Sequence, residues 1–152
     1  MGWLQTWTGP VAGDWIDELG HVNFLSYQKV ADDAAMSLWK AANGGRDRVG
    51  RLGHEFVMLE THVRYLSELH LGAAVTVHTC VLAFDDKRFR LLHHIQGDGT
   101  LSCTVETVNL GFDTETRRAM ALHRDVIEFF KALGSPPAEA SGELPLKRQR
   151  PA

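Results

Sequence analysis

The sequence predicts an α+β domain, one long helix wrapped by an antiparallel sheet of five or so strands. Three observations carry the prediction. From Phe24 to Ala42 apolar residues recur every three or four positions, the helical period. Glu55–Leu66, Ala73–Phe84, Arg88–Ile95 and Leu101–Phe112 instead carry alternating or Val- and Thr-rich runs, the mark of strands. Turn chemistry separates them, with Asp85–Asp86–Lys87 before the third run and Asp98–Gly99 before the fourth.

In chain order, Trp3–Thr8 is a short strand broken by Gly9–Pro10. The helix follows a polar loop. Its apolar positions are Phe24, Tyr27, Val30, Ala31, Ala34, Ala35, Leu38, Trp39 and Ala42, and its alanines let a neighbour approach closely. Asn43–Gly44–Gly45 ends it with C-cap chemistry. Arg46–His54 is a basic, glycine-punctuated connection expected to move. In Glu55–Leu66, strict alternation puts Val57, Leu59, Thr61, Val63 and Tyr65 on one face and Phe56, Met58, Glu60, His62 and Arg64 on the other. The four long strands are expected to form a meander. His123–Leu133 is a short helix with Val126, Ile127, Phe130 and Leu133 on its apolar side. Residues 1–133 are thus one domain, and 134–152, rich in Pro, Ser and charge, a flexible tail.

Composition narrows the function. The 152 residues carry a net charge of -3, so no nucleic-acid footprint is visible. No run approaches the ~18 apolar residues of a membrane span, and the N-terminus lacks the pattern of a secretory signal. Cys80 and Cys103 sit in apolar runs and make no C-x-x-C motif. They read as reduced core thiols of a cytoplasmic protein. His93 and His94 are neighbours on a strand and face opposite ways, and the eight histidines show no helical ligand spacing. No metal is expected.

The organising stretch is Asp17-Glu18-Leu19-Gly20-His21-Val22-Asn23-Phe24. Gly20 permits a left-handed turn. Asn23 is a good N-cap. The first-turn amides, near Phe24 and Leu25, carry partial positive charge. A carboxylate just ahead of them, Asp17, either caps the loop or supplies an acid, base or nucleophile while the amides hold a developing oxyanion.

That order of elements, with Asp17-x-x-Gly20-His21-Val22-Asn23-x-x-x-Tyr27 ahead of the helix, resembles the hot-dog fold, and in it the acyl-CoA thioesterases of the 4-hydroxybenzoyl-CoA thioesterase type. Val57–Leu66 and Asp86–Leu91 look like a narrower subgroup that acts on betainyl-CoA. The resemblance implies a thioester hydrolase whose CoA is part of the substrate and which needs no cofactor. It implies a homodimer, or a tetramer of two dimers, with sheets joined edge to edge and sites at the subunit interface. By the same resemblance Asp17 is nucleophile or general base, Gly20 the motif glycine and Phe24 the amide donor.

Around that centre each residue has two readings. His21 orients substrate or simply closes a turn, and Asn23 caps the helix before it contacts anything else. Glu60 is a second acid/base or part of a polar ladder with His62 and Arg64. Lys87, Arg88 and Arg90 bind the CoA phosphates or form a solvated strand end. Trp15, Tyr27, Phe56 and His62 line the acyl pocket, and Trp15, Trp39 and Phe56 form an aromatic wall for a cationic acyl group or pack as ordinary core. Two rival functions remain: a hot-dog enoyl-thioester hydratase or dehydratase using His21 with Glu60, and a non-catalytic acyl-CoA-binding module.

Overall fold

The computed structural model describes residues 2–47 and 53–148. Residues 48–52 of the connection expected to move, and 149–152 of the basic tail, lie outside the described residues. The elements are β1 (Leu4–Pro10), α1 (Phe24–Ala42), β2 (His54–Tyr65), β3 (Ala74–Phe84), β4 (Arg88–Gly97), β5 (Thr100–Asp113), β6 (Arg118–Ala119) and α2 (Arg124–Leu133). A single 3-10 turn, Gly13–Trp15, precedes the loop that leads into α1.

The sheet is antiparallel, in the order β1-β3-β4-β5-β2, with the two-residue β6 added beside β5. Only β3, β4 and β5 form a meander. β2 does not lie next to β3, as a four-strand meander requires. It pairs with β5 at the far edge. The chain leaves β1 at one edge and enters β2 at the other, and α1 makes the passage. Nineteen helical residues span about 28 Å. The four spacings between five strands span about 19 Å. The helix is therefore long enough to cross the sheet, and no strand connection has to.

α1 buries the side its periodicity foretold except at Phe24, which at the first position lies beyond the sheet and is exposed, and two clusters divide its length. Tyr27, Val30, Ala31 and Ala34 meet Val75, Val77, Ile95, Cys103 and Val105. Ala35, Leu38, Trp39 and Ala42 meet Phe89, Leu91 and, from α2, Val126 and Phe130. Trp39 is fully buried and stacks on Phe89, ring centroids 5.6 Å apart. Each such buried side chain contributes about 1.5–3 kcal/mol. Both cysteines are free and buried, and burial pushes each thiol up to about 12.

A β-bulge redistributes the faces of β2. Met58 pairs with Asn109 and Glu60 with Val108, so Leu59 has no partner of its own. The inserted residue shifts the alternation by one. Phe56 and Met58 consequently share the α1 side with Thr61 and Val63, not with Glu60, His62 and Arg64.

Composition predicts a loose tail after α2, yet residues 139–148 lie along the face of the sheet opposite α1. Glu106 of β5 accepts hydrogen bonds from the Glu143 amide at 2.6 Å and the Leu144 amide at 3.1 Å. Arg90 donates to the same carboxylate through Nε at 3.2 Å and Nη2 at 3.1 Å. Trp3 Nε1 donates to Glu139, and Arg148 Nε donates to Glu60 at 2.6 Å. A buried carboxylate must be paired. Here a guanidinium and two tail amides pair it, and that holds a segment whose composition alone would not.

Candidate active site

The loop before α1 is a closed miniature hairpin. Ile16 bridges Val22, the Asp17 amide donates to His21 O at 2.8 Å, and Gly20 N–H returns to Asp17 O at 3.0 Å. The turn needs φ +79° at Gly20, which glycine adopts without a Cβ penalty. Asp17 Oδ1 accepts from the Leu19 amide at 2.9 Å and the His21 amide at 3.1 Å, which fixes the carboxylate's rotation. Asp17 itself is exposed in the single chain.

Asn23 is the N-cap, its side chain accepting from Leu25 N at 2.8 Å. Ser26 N–H turns back on Asn23 O at 2.9 Å. Phe24 N–H, at the very start of α1, meets no acceptor among the described residues. It is left as the positive end of the helix. His21 Nδ1 lies 2.6 Å from Glu68 Oε1. A cleft of about 350 Å³ opens beside this point, lined by His21, Val22, Phe24, Tyr27, Tyr65 and Glu68 among others. Tyr27 is buried, takes the Leu69 amide on its hydroxyl at 3.3 Å, and meets Tyr65 edge-on at 5.3 Å. Burial raises its phenol above the usual value.

One turn farther along, a second cavity of about 260 Å³ lies between α1 and the sheet. Gln28, Asp32 and Met36 wall it from the helix, Phe56 and Met58 from β2, and His93, Thr107 and Asn109 from β4 and β5. Asp32 lies eight residues from Phe24, about 12 Å along the axis. Ala31 and Ala35 of α1 also line it, and their small side chains leave the room.

The predicted site residues therefore fall in five separate places. Asp17, Gly20, His21, Asn23, Phe24 and Tyr27 come together at the helix start. Phe56 lines the cavity. Trp15 packs against Trp7 at 6.0 Å and Trp39 is core, so the three aromatics make no common wall. Glu60 and His62 lie on the opposite face of the sheet, Glu60 held by Arg148. Neither reaches the helix start of its own chain, so the His21–Glu60 pair of a hydratase does not form there. Of the proposed phosphate cations, Arg90 is committed to Glu106 and Arg88 lies 3.8 Å from Asp85, while Lys87 is exposed. Sequence reasoning missed Asp32, Thr107 and Asn109 as cavity residues. The only signal was alternation along Leu101–Phe112, which puts Val105, Thr107 and Asn109 on one face.

Residues 11–130 match the model of the Thioesterase-like superfamily, and the chain belongs to this family, whose hot-dog fold it adopts. It is 37% identical over 137 residues to an L-carnitine dehydrogenase/betainyl-CoA thioesterase of Agrobacterium fabrum, covering 89% of this chain and 27% of the relative. The chain thus spans about a quarter of the length of that relative. It is also 31% identical to a betainyl-CoA thioesterase of Pseudomonas aeruginosa, covering 94% of this chain and 89% of the other. A Staphylococcus aureus protein solved in complex with CoA superposes with TM-score 0.82 at 26% identity, covering 94% of this chain and 92% of that one. Among the described residues, no helix is long and apolar enough to cross a membrane.

Proposed function

We propose that the protein is an acyl-CoA thioesterase that releases a small acid and CoA, with Asp17 as nucleophile or general base. The observation that carries the reading is the unpaired Phe24 N–H at the start of α1, with Asp17, a carboxylate whose rotation is fixed by its own loop, in the turn that leads into it. The amide polarises the thioester carbonyl and takes the charge that develops on its oxygen. As general base, Asp17 accepts a proton from the water that adds to the carbonyl carbon. The C–S bond then breaks and CoA leaves as thiolate. As nucleophile, Asp17 forms an acyl anhydride that water cleaves. Family membership supports the class, and the names of the relatives support betainyl-CoA as the substrate. CoA enters as part of the substrate, and the chemistry on this chain calls on no resident cofactor.

A second copy of the chain completes the site in this reading. Phe24 and Leu25 are each 58% exposed, and Leu19, Met58, Leu59, Tyr65 and Leu66 are exposed as well. They ring the helix start and the outer edge of β2, which has no partner strand among the described residues. Apolar residues beside an open strand edge suit strand-to-strand pairing. Closure there would shield Asp17 from bulk solvent while leaving the attacking water its place.

The test is thiol release over a panel of acyl-CoAs, with Asp17→Asn as the variant. Loss of at least about a hundredfold in kcat supports the assignment. Full activity in Asp17→Asn removes Asp17 from the chemistry.

A further inference from the structure

One contact in the cleft at the helix start plays no part in the hydrolytic step as described. His21 Nδ1 lies 2.6 Å from Glu68 Oε1. The direction of this bond follows from the two partners. A carboxylate has only acceptor oxygens, so the ring proton sits on Nδ1 and points at Glu68. Nε2 is then the ring's other polar atom, and in the neutral ring it carries the lone pair of a base.

Glu68 is held in place from both sides. The Leu66 and Ser67 amides donate to Ser102 O at 2.8 and 3.1 Å, which ties the segment to β5. The Leu69 amide donates to the Tyr27 hydroxyl at 3.3 Å, which ties it to α1. His21 is fixed through its main chain. Its amide donates to Asp17 Oδ1 at 3.1 Å, and its carbonyl accepts from the Asp17 amide at 2.8 Å. His21, Glu68 and Phe24 line one cleft, and the side chains of the pair, 58% and 42% exposed, are open to it.

We propose that Glu68 is a positioning residue of the thioesterase reaction, holding His21 so that Nε2 takes the proton of the water that releases the acyl group from Asp17. This rests on the thioesterase reading above and gives Asp17 the part of nucleophile. In the first step an Asp17 oxygen bonds to the thioester carbonyl carbon, the C–S bond breaks and CoA leaves as thiolate. In the second, the water oxygen bonds to the same acyl carbon, one water proton passes to Nε2, and the bond from that carbon to the Asp17 oxygen breaks. The free acid leaves and Asp17 is a carboxylate again. The imidazolium, stabilised by the Glu68 charge, returns its proton to the CoA thiolate or to solvent. Asp17 and His21 close one turn, so the bond to be cleaved and the base that serves it are carried together.

Thiol is released in the first step only. An enzyme slowed in the second step should therefore release about one thiol per site quickly and turn over slowly afterwards. The ester is betainyl-CoA, or whichever member of the acyl-CoA panel the wild type hydrolyses fastest. His21→Ala is expected to show that burst with steady-state kcat down about a hundredfold, and Glu68→Ala the same burst with kcat down about tenfold. Glu68→Gln, which keeps an acceptor for Nδ1–H, should recover most of the rate. The double variant should be no slower than His21→Ala, because Glu68 acts through the ring. An exposed pair adds little to stability, so these variants are expected to fold, and Glu68→Lys serves if Glu68→Ala does not. A wild-type rate in a folded Glu68→Ala overturns the proposal. So does a slow His21→Ala without a burst, or a double variant slower than His21→Ala. If the wild type hydrolyses no ester, the thioesterase reading fails and takes this inference with it. Hydrolysis that does not depend on Glu68 fails this inference alone.

Discussion

Replacing Glu106 by Ala should cost more stability than any substitution at the active-site loop. The carboxylate side chain is 3% exposed and that of its partner Arg90 17%. Removing one member of a buried ion pair strands the other, at about 3–5 kcal/mol. The Glu143 and Leu144 amides lose their acceptor in the same step. Against a total of about 5–15 kcal/mol, that is a large share. In a domain of this size each kcal/mol moves Tm by about 2–4 °C, so a fall of about 6–20 °C is expected. The assay is thermal and urea unfolding followed by circular dichroism, run beside limited proteolysis. Cleavage should appear after α2 before the rest of the domain is cut. The double change Glu106→Leu with Arg90→Met, which leaves no charge unpaired, should regain most of the loss. If Glu106→Ala unfolds within about 1 kcal/mol of wild type, the ion pair and tail contacts described here do not hold the outer face.

Two further outcomes are expected. Asn23→Ala removes the acceptor of the Leu25 amide and should cost about 0.5–2 kcal/mol, measured as a shift of the unfolding midpoint, with kcat falling as the first turn loosens. His93 is held neutral in the fold, at about 3 against an unfolded value near 6.5, so the unfolded chain binds the extra proton between those values. Its contribution is therefore present above about pH 6.5 and lost as pH falls towards 3, by about 1.4 kcal/mol per pH unit. The stability gap between wild type and His93→Gln should accordingly narrow from pH 7 to pH 4. A gap that is constant over that range would refute this account of the buried imidazole.

What could be read beforehand followed from local chemistry. α1 runs from Phe24 to Ala42 because its apolar period, its Asn23 cap and its glycine-rich end agree. The loop at Gly20 was legible because positive φ has a residue signature. The position of β2 was not. A strand at an edge and one in the middle of a meander carry the same alternation, and only pairing with β5 separates them. The bulge at Leu59 was equally hidden, since Val-Met-Leu-Glu-Thr alternates as well with an extra residue as without one. The contacts of the tail were not legible because composition counts what a segment can bury and cannot count an acceptor such as Glu106 waiting on another strand. His93 shares a strand face with Phe89, Leu91 and Ile95, which agrees with its burial, but nothing in the sequence announced its contact with Thr79.

The extra residue in β2 makes the strand tolerant of one kind of genetic change and intolerant of another. Exchanging Leu59 for a different amino acid leaves every other side chain where it is. Deleting it restores regular pleating and turns the first half of the strand inside out. Val57 would then point into the cavity beneath α1, and Phe56 and Met58 would be carried to the tail side. Insertions and deletions near this codon, rather than substitutions, are the changes that would separate a working enzyme from one that still folds but has lost its pocket.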